Sequence, residues 1–180
     1  MRVIAGIARG RRLRPVPGDA TRPITDRVRE ALFDILGADI RDARFLDLFC
    51  GTGSVGIEAL SRGASFALFV DRDRRATATA RANLVSTGLE EKARVIHQDA
   101  FVLLRQNPEQ GFDYIYIAPP QYQGLWKWAL LTLDSNPEWL KPDGWVIVQI
   151  HPKEYEPLEL TRLVEFDKRR YGSTLLVFYR

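Results

Sequence analysis

The stretch Asp47-Leu48-Phe49-Cys50-Gly51-Thr52-Gly53-Ser54-Val55-Gly56 decides the fold. Residues 45–49 form a short apolar run carrying one Asp, which reads as a buried strand. Gly51 and Gly53 break that run, and residues 54–62 then read as a short helix closed by Gly63. A strand feeding a glycine turn and a helix start presents free backbone amides, and the glycines let a ligand approach the backbone closely. Spaced as Gly51-x-Gly53-x-x-Gly56, the turn also satisfies the dinucleotide fingerprint, a pattern of low specificity by itself.

The neighbouring residues narrow the ligand. The next apolar run, 66–70, ends at Asp71, 20 residues after Gly51, where a carboxylate can accept from ribose hydroxyls. The turn and Asp71 together indicate an adenosine-type nucleotide and leave a dinucleotide and S-adenosylmethionine both open. Asp47 sits inside an apolar strand, where an unpaired carboxylate is costly. A pyrophosphate would worsen that cost and a methionine ammonium would relieve it, which favours S-adenosylmethionine. Asp99 follows the third strand, where it can accept from an adenine amine, cap the next helix, or do both. Phe49, Cys50, Arg72 and Ala100 flank these positions and complete the expected cofactor set. Cys50 has no His near it in sequence and reads as a small packing residue rather than a nucleophile. His97 reads as a strand side chain. His151-Pro152-Lys153 shows no metal-ligand spacing, and no metal is expected.

Working outward, the pattern alternates strand and helix. Helical spacing runs from Thr25, a plausible N-cap, to a stop at Gly37, with Arg27, Arg29 and Glu30 on the outer face. After the glycine turn, residues 73–87 read as helix, 94–97 as strand, 100–106 as helix, 113–117 as strand, 123–134 as helix and 145–150 as strand. Residues 163–171 and 175–179 flank Gly172-Ser173 as a closing hairpin. This order predicts an α/β, Rossmann-like, doubly wound parallel sheet, with the ligand at the carboxyl ends of the strands. The fourth strand exits into Ala118-Pro119-Pro120-Gln121-Tyr122. Two prolines freeze the chain, so that the carbonyls of Ala118 and Pro119 point in set directions and can accept from an exocyclic base amine. Tyr122 can stack on a flipped base. Trp126, Trp128, Trp139 and Trp145 are candidates for stacking or for ordinary burial.

The chain has 180 residues, 46% hydrophobic and 27% charged, so a disordered or collagen-like protein is excluded. One cysteine excludes a disulfide scaffold and, with no apolar run of membrane-spanning length, the expected location is the cytoplasm. The charge is unevenly placed. Residues 1–29 hold eight arginines against Asp19 and Asp26, whereas the remainder holds 18 basic and 21 acidic groups. Residues 1–24 therefore read as a basic arm, with Arg9-Gly10 turning a hairpin whose first strand includes Val3, Ile4 and Ile7. Residues 25–180 read as one domain. Arginine suits phosphate, so Arg9, Arg11, Arg12 and Arg22 are the candidate nucleic-acid contacts.

Two stretches, Arg22-Pro23-Ile24-Thr25-Asp26-Arg27-Val28-Arg29-Glu30-Ala31-Leu32-Phe33 and residues 47–64, together with Arg9-Gly10-Arg11-Arg12-Leu13, resemble the RsmD family, bacterial small-subunit ribosomal RNA guanine-N2 methyltransferases. The resemblance spans nearly the whole chain. It implies a seven-stranded S-adenosylmethionine-dependent methyltransferase fold with an N-terminal RNA-binding extension. It also implies action on 16S rRNA or the assembling small subunit; no membrane partner and a monomer are expected, although the sequence itself does not show whether the protein dimerises. It places Asp47, Gly51 and Gly53 at the cofactor, Asp71 on the ribose and Asp99 near the adenine, with the segment around Thr25 and Arg27 folded over them. The family usually carries Asp or Asn, two prolines, then Phe or Tyr. Here Ala118 takes the acid's place and Gln121 the aromatic's, with Tyr122 one position later. Catalysis is expected to survive on backbone carbonyls, because much of it is positioning.

Overall fold

The computed structural model describes residues 1–18 and 23–180; Arg22, one of the expected RNA contacts, lies outside the described residues. Helix α1 (Asp26–Leu36) starts where the Thr25 hydroxyl accepts from the Val28 N–H at 3.2 Å, and ends at Gly37. There follow β1 (Arg44–Leu48), α2 (Ser54–Ser61), β2 (Phe66–Asp71), α3 (Arg74–Thr87), β3 (Ala93–His97), α4 (Ala100–Leu104), β4 (Phe112–Ile117), α5 (Leu125–Ser135), β5 (Leu140–Ile150), β6 (Glu165–Tyr171) and β7 (Thr174–Tyr179). Among the described residues no helix is long and apolar enough to cross a membrane.

The strands form one seven-stranded sheet in the order β3-β2-β1-β4-β5-β7-β6. The first five run parallel, as the alternating pattern requires. The sheet is mixed rather than wholly parallel, because the tight turn at Gly172-Ser173 forces β6 and β7 to be antiparallel, and β7 inserts against β5. β1 is central, with β2 on one side and β4 on the other, so the chain reverses direction of travel here, the point at which open α/β sheets bind ligands beyond the strand ends. Residues along β1 alternate between two cores. Phe45 packs into the layer of α1, α2 and α3, and Leu46 and Leu48 pack into the layer of α4 and α5. Gly56 lets α2 lie directly on β2, since a β-carbon there would sit 2.4 Å from the Phe69 ring.

Three expectations are corrected. The N-terminal hairpin reduces to a single bridge between Arg2 and Arg12, and Ile7 is 77% exposed rather than a strand residue. The reason lies in where the amides go. Ile4 and Ala5 N–H donate to the Glu58 carboxylate at 2.9 and 3.0 Å, Ile7 N–H to Ser61 O at 2.9 Å, and Ala8 N–H to Ser61 Oγ at 2.9 Å. These amides are committed to α2, not to a partner strand. Arg29, expected on the outer face of α1, is fully buried. Helix α4 stops at Leu104 rather than Gln106, because the Leu104 and Gln106 carbonyls accept from the Trp139 indole N–H at 3.1 and 3.0 Å.

Candidate active site

The glycine turn is built from alternating left-handed residues: Phe49 at φ 59, Gly51 at φ 53 and Gly53 at φ 80. Phe49 is the costly member, since a bulky residue with a β-carbon disfavours this region by about 1–2 kcal/mol. The surrounding bonds hold it. Cys50 N–H donates to Val70 O at 3.0 Å, and Gly53 N–H to Cys50 O at 2.8 Å. A β-carbon at Gly51 would meet nothing within 4 Å, so this face of the turn is open to a ligand.

Asp71 ties the turn to the end of β2. Its Oδ2 accepts from Gly51 N–H at 3.0 Å and its Oδ1 from Asp73 N–H at 2.9 Å. A carboxylate has about four acceptor positions, so both oxygens keep capacity for hydroxyl donors. Asp47 is 1% exposed and Oδ2 accepts from Gly56 N–H at 3.0 Å. Burial pushes its carboxyl well above the usual range; the Gly56 amide opposes this and the nearby Asp71 charge adds to it. Such a group gains most from a cation. Asp99 caps α4 through Oδ1, which accepts from Phe101 and Val102 N–H at 2.8 and 3.3 Å. Oδ2 has no partner among the described residues. Phe49 and Phe101, both half-buried, meet edge to face at 6.3 Å, and Ala100 is buried beside them. Arg72 is exposed, and its carbonyl is paired with His97 Nε2 at 2.9 Å, a packing role for that histidine. Cys50 is buried and its thiol is pushed well up by burial, which agrees with a packing role.

On the other side of β1, Leu48 pairs with Ile117, so Phe49 and Ala118 leave adjacent strands together. Ala118, Pro119 and Pro120 are half-buried; Tyr122 is 64% exposed at φ 61. The edge of the sheet thus gathers Asp47, Phe49, Cys50, Gly51, Gly53, Asp71, Asp99, Ala100 and the loop 118–122. Thr25 and Arg27 are exposed and, among the described residues, make no hydrogen bond to the glycine turn. Of the tryptophans, Trp126 and Trp139 are buried, Trp145 packs on Phe166 and Phe178, and Trp128 is exposed.

The arm is docked on the domain. Val3, Ala8 and Leu13 join the core of α1, α2 and α3. Arg9 and Arg12 are exposed, and Arg11 Nη1 donates to Ser86 O at 3.2 Å. Two polar residues organise this docking, a third holds the loop 118–122, and all three escaped the sequence reading. Glu58 receives the arm's amides. Asn83, fully buried in α3, accepts from Arg14 N–H at 2.7 Å and donates to Arg14 O at 3.1 Å and Thr52 O at 2.9 Å, linking the arm to the glycine turn. Glu154 Oε1 accepts from Tyr122 N–H at 2.7 Å. Weak signals existed: Glu58 stands in an apolar helix, Asn83 in an Ala-rich one, and His151-Pro152-Lys153-Glu154 has Pro at the first position of a turn and Glu at the third.

The family described as "Conserved hypothetical protein 95" matches residues 1–180. The Bacillus subtilis protein YlbH is 41% identical over 183 residues, covering 100% of this chain and 98% of its own length. "Ribosomal RNA small subunit methyltransferase D" of Escherichia coli K12 is 38% identical over 150 residues, covering 83% of this chain and 74% of its own. The solved structure of Escherichia coli yhhF superimposes with a TM-score of 0.88 at 32% identity, covering 99% of this chain and 96% of that one.

Proposed function

The chain belongs to the RsmD family of S-adenosylmethionine-dependent ribosomal RNA methyltransferases, and from that premise we propose that it methylates the exocyclic N2 of a guanine in 16S rRNA. The observation that carries the reading is the convergence, at one edge of the sheet, of the open glycine turn with the rigid Ala118-Pro119-Pro120 exit.

S-adenosylmethionine, when bound, supplies an electrophilic methyl group on sulfonium sulfur. The residues present fit it. Asp47 is a buried carboxylate that a methionine ammonium would neutralise. Asp71 has spare lone pairs for ribose hydroxyls, and Asp99 has Oδ2 for the adenine amine. Phe49, Phe101 and Ala100 provide an apolar wall.

The target base leaves its stack and lies against Tyr122, whose ring is exposed to receive it. The carbonyl of Ala118 or Pro119 accepts one N2–H and orients the nitrogen lone pair toward the methyl group. The bound cofactor would supply the methyl group, the new N–C bond replacing its C–S bond, and the surplus N2 proton would leave to water. No carboxylate is needed as a strong base, because that proton is acidic once the nitrogen has been alkylated. Ala118 therefore lacks one side-chain acceptor but keeps the orienting backbone. Arg9, Arg11 and Arg12, all exposed, hold phosphates of the rRNA.

The test uses tritiated S-adenosylmethionine and small-subunit particles from a strain lacking this gene. Label is expected in N2-methylguanosine. Label in another nucleoside, or no label, overturns the guanine-N2 reading. In parallel, Asp71→Ala is expected to lose affinity for S-adenosylhomocysteine, and normal affinity would remove Asp71 from the cofactor site.

A further inference from the structure

The backbone of Tyr122 is held in an unfavourable conformation by a residue 32 positions away. Tyr122 sits at φ 61, in the left-handed region that a bulky side chain rarely adopts. Its N–H donates to Glu154 Oε1 at 2.7 Å. The other oxygen, Oε2, accepts from His151 N–H at 3.0 Å. His151 is the residue leaving β5, and β5 lies beside β4, with Ile117 opposite Val148. One carboxylate thus clamps the exit of β4 to the exit of β5. The turn carrying Glu154 is itself fixed, since His151 Nδ1 accepts from Lys153 N–H at 3.1 Å and Pro152 opens it. The His151 and Tyr122 rings lie 5.7 Å apart, so side chain and backbone are braced by the same segment. Two residues on, Glu156 Oε1 pairs with Lys127 Nζ at 3.1 Å, a second tie from this segment to the first turn of α5.

We propose that Glu154 is a positioning residue for methyl transfer: its bridge between Tyr122 N–H and His151 N–H sets the pose of the loop 118–122 that orients the target amine. The inference rests on reading that loop as the substrate-amine site. A carboxylate is required for the bridge, because both partners are donors and an amide side chain offers only one acceptor oxygen. Without the bridge, Tyr122 relaxes toward negative φ and the loop's carbonyls turn with it. Misplacement of about 1 Å at a reacting group costs on the order of a hundredfold in rate.

The experiment compares Glu154→Gln, Glu154→Ala, Tyr122→Ala, Tyr122→Asn and the Tyr122→Asn/Glu154→Ala double variant in the 180-residue protein. It measures kcat and KM for methyl transfer to small-subunit particles, S-adenosylhomocysteine affinity by calorimetry, and the thermal midpoint. Glu154→Gln and Glu154→Ala are expected to lower kcat/KM for particles by roughly tenfold or more, with cofactor affinity unchanged. In a Tyr122→Asn background, where the left-handed conformation is tolerated, Glu154→Ala is expected to add little further loss. Full activity of Glu154→Ala, or equal additional loss in the Tyr122→Asn background, overturns the proposal. So does a parallel fall of cofactor affinity and thermal midpoint in both Glu154 variants, which marks a merely structural role. If Tyr122→Ala transfers methyl groups normally, the loop itself is not the substrate site and both readings fall; if Tyr122→Ala is impaired while Glu154→Ala is not, only the role of Glu154 falls.

Discussion

Arg29 of α1 and Glu58 of α2 meet with Nε and Oε1 3.4 Å apart, and both side chains are fully buried. Around them the bonding is unequal. Glu58 also accepts from Ile4 and Ala5 N–H and pairs with Arg62 at 2.9 Å. Arg29 Nη2 reaches the Arg2 carbonyl and Asp26, but its Nε and Nη1 form no hydrogen bond among the described residues. Glu58 is therefore the hub: it neutralises a buried guanidinium and anchors the arm to the domain.

That asymmetry ranks two substitutions. Glu58→Ala leaves the buried Arg29 with only the exposed Asp26 as a counter-charge and strands two arm amides, and is expected to cost about 3–5 kcal/mol, the usual range for breaking a buried pair. Arg29→Met leaves Glu58 with Arg62 and both amides, and is expected to cost much less. Urea denaturation of the two variants checks the order. Limited proteolysis should cut Glu58→Ala first within residues 1–18, where the arm is released.

Asp47 gives the pH dependence. Its folded carboxyl is held well above the ordinary value, chiefly by burial, so the proton is bound more tightly in the folded protein than in the unfolded chain. The stabilisation this gives is fully present below the ordinary carboxylate range and is lost as pH rises through the raised value. Apo-protein stability should fall across that window, and Asp47→Asn, which keeps an acceptor for Gly56 N–H, should flatten the fall. If the cofactor's ammonium sits at Asp47, as proposed, it rewards the ionised form, and S-adenosylhomocysteine affinity should rise over the same window. Asp47→Asn should remove that rise and weaken binding about 10- to 100-fold, the value of a charge-assisted hydrogen bond. Thermal melts and calorimetry across a pH series read both effects. An Asp47→Asn protein that is less stable than wild type at neutral pH would contradict the assignment.

The arm arginines make a separable claim. Replacing Arg9, Arg11 and Arg12 together with Gln removes their positive charges while leaving the buried anchors Val3, Ala8 and Leu13 in place. RNA affinity should drop, and the slope of log affinity against log salt should shrink by roughly 0.7–0.9 for each phosphate no longer neutralised. Filter binding over a salt series, with thermal midpoints as a control, measures this. An unchanged slope would show that the arm holds no phosphate.

Much of this architecture was legible in the sequence because the signals are local. The strand carrying Asp47, the glycine turn, and Asp71 at the end of the next strand follow from side-chain period and turn chemistry over a few residues. Thr25 and Asp99 are N-caps of ordinary type, and both cap their helices. What stayed hidden is long-range and one-sided. Glu58, Asn83 and Glu154 each bind backbone amides or carbonyls of segments 31 to 69 residues away along the chain. A backbone partner leaves no mark in its own residue type, so nothing at Ile4, Arg14 or Tyr122 announced the bond. For the same reason Arg29 read as a surface charge: its burial depends on Glu58, which is placed only when α2 lies beside α1. The left-handed Phe49 and Tyr122 were equally silent, since neither residue type favours that conformation.

Asn83 offers the sharpest test of how the arm and the glycine turn are joined. Its amide uses one acceptor and two donor bonds, to Arg14 on the arm and Thr52 in the turn, and it is fully buried. Asn83→Ala leaves Arg14 N–H, Arg14 O and Thr52 O to find water in a cavity the size of the missing side chain. A cost of about 2–4 kcal/mol is expected from unsatisfied groups and weakened packing. Asn83→Asp keeps the acceptor for Arg14 N–H but turns both donors into acceptors facing carbonyls, so it should be at least as damaging as Ala. The distinguishing measurement is coupling. If Asn83 joins the two sites, S-adenosylhomocysteine binding in wild type should slow hydrogen exchange in residues 11–14 as well as in the turn. In Asn83→Ala, protection should be confined to the turn. Protection of the arm that survives in Asn83→Ala would mean that the two sites communicate through the packed core of Val3, Leu13 and α3 instead.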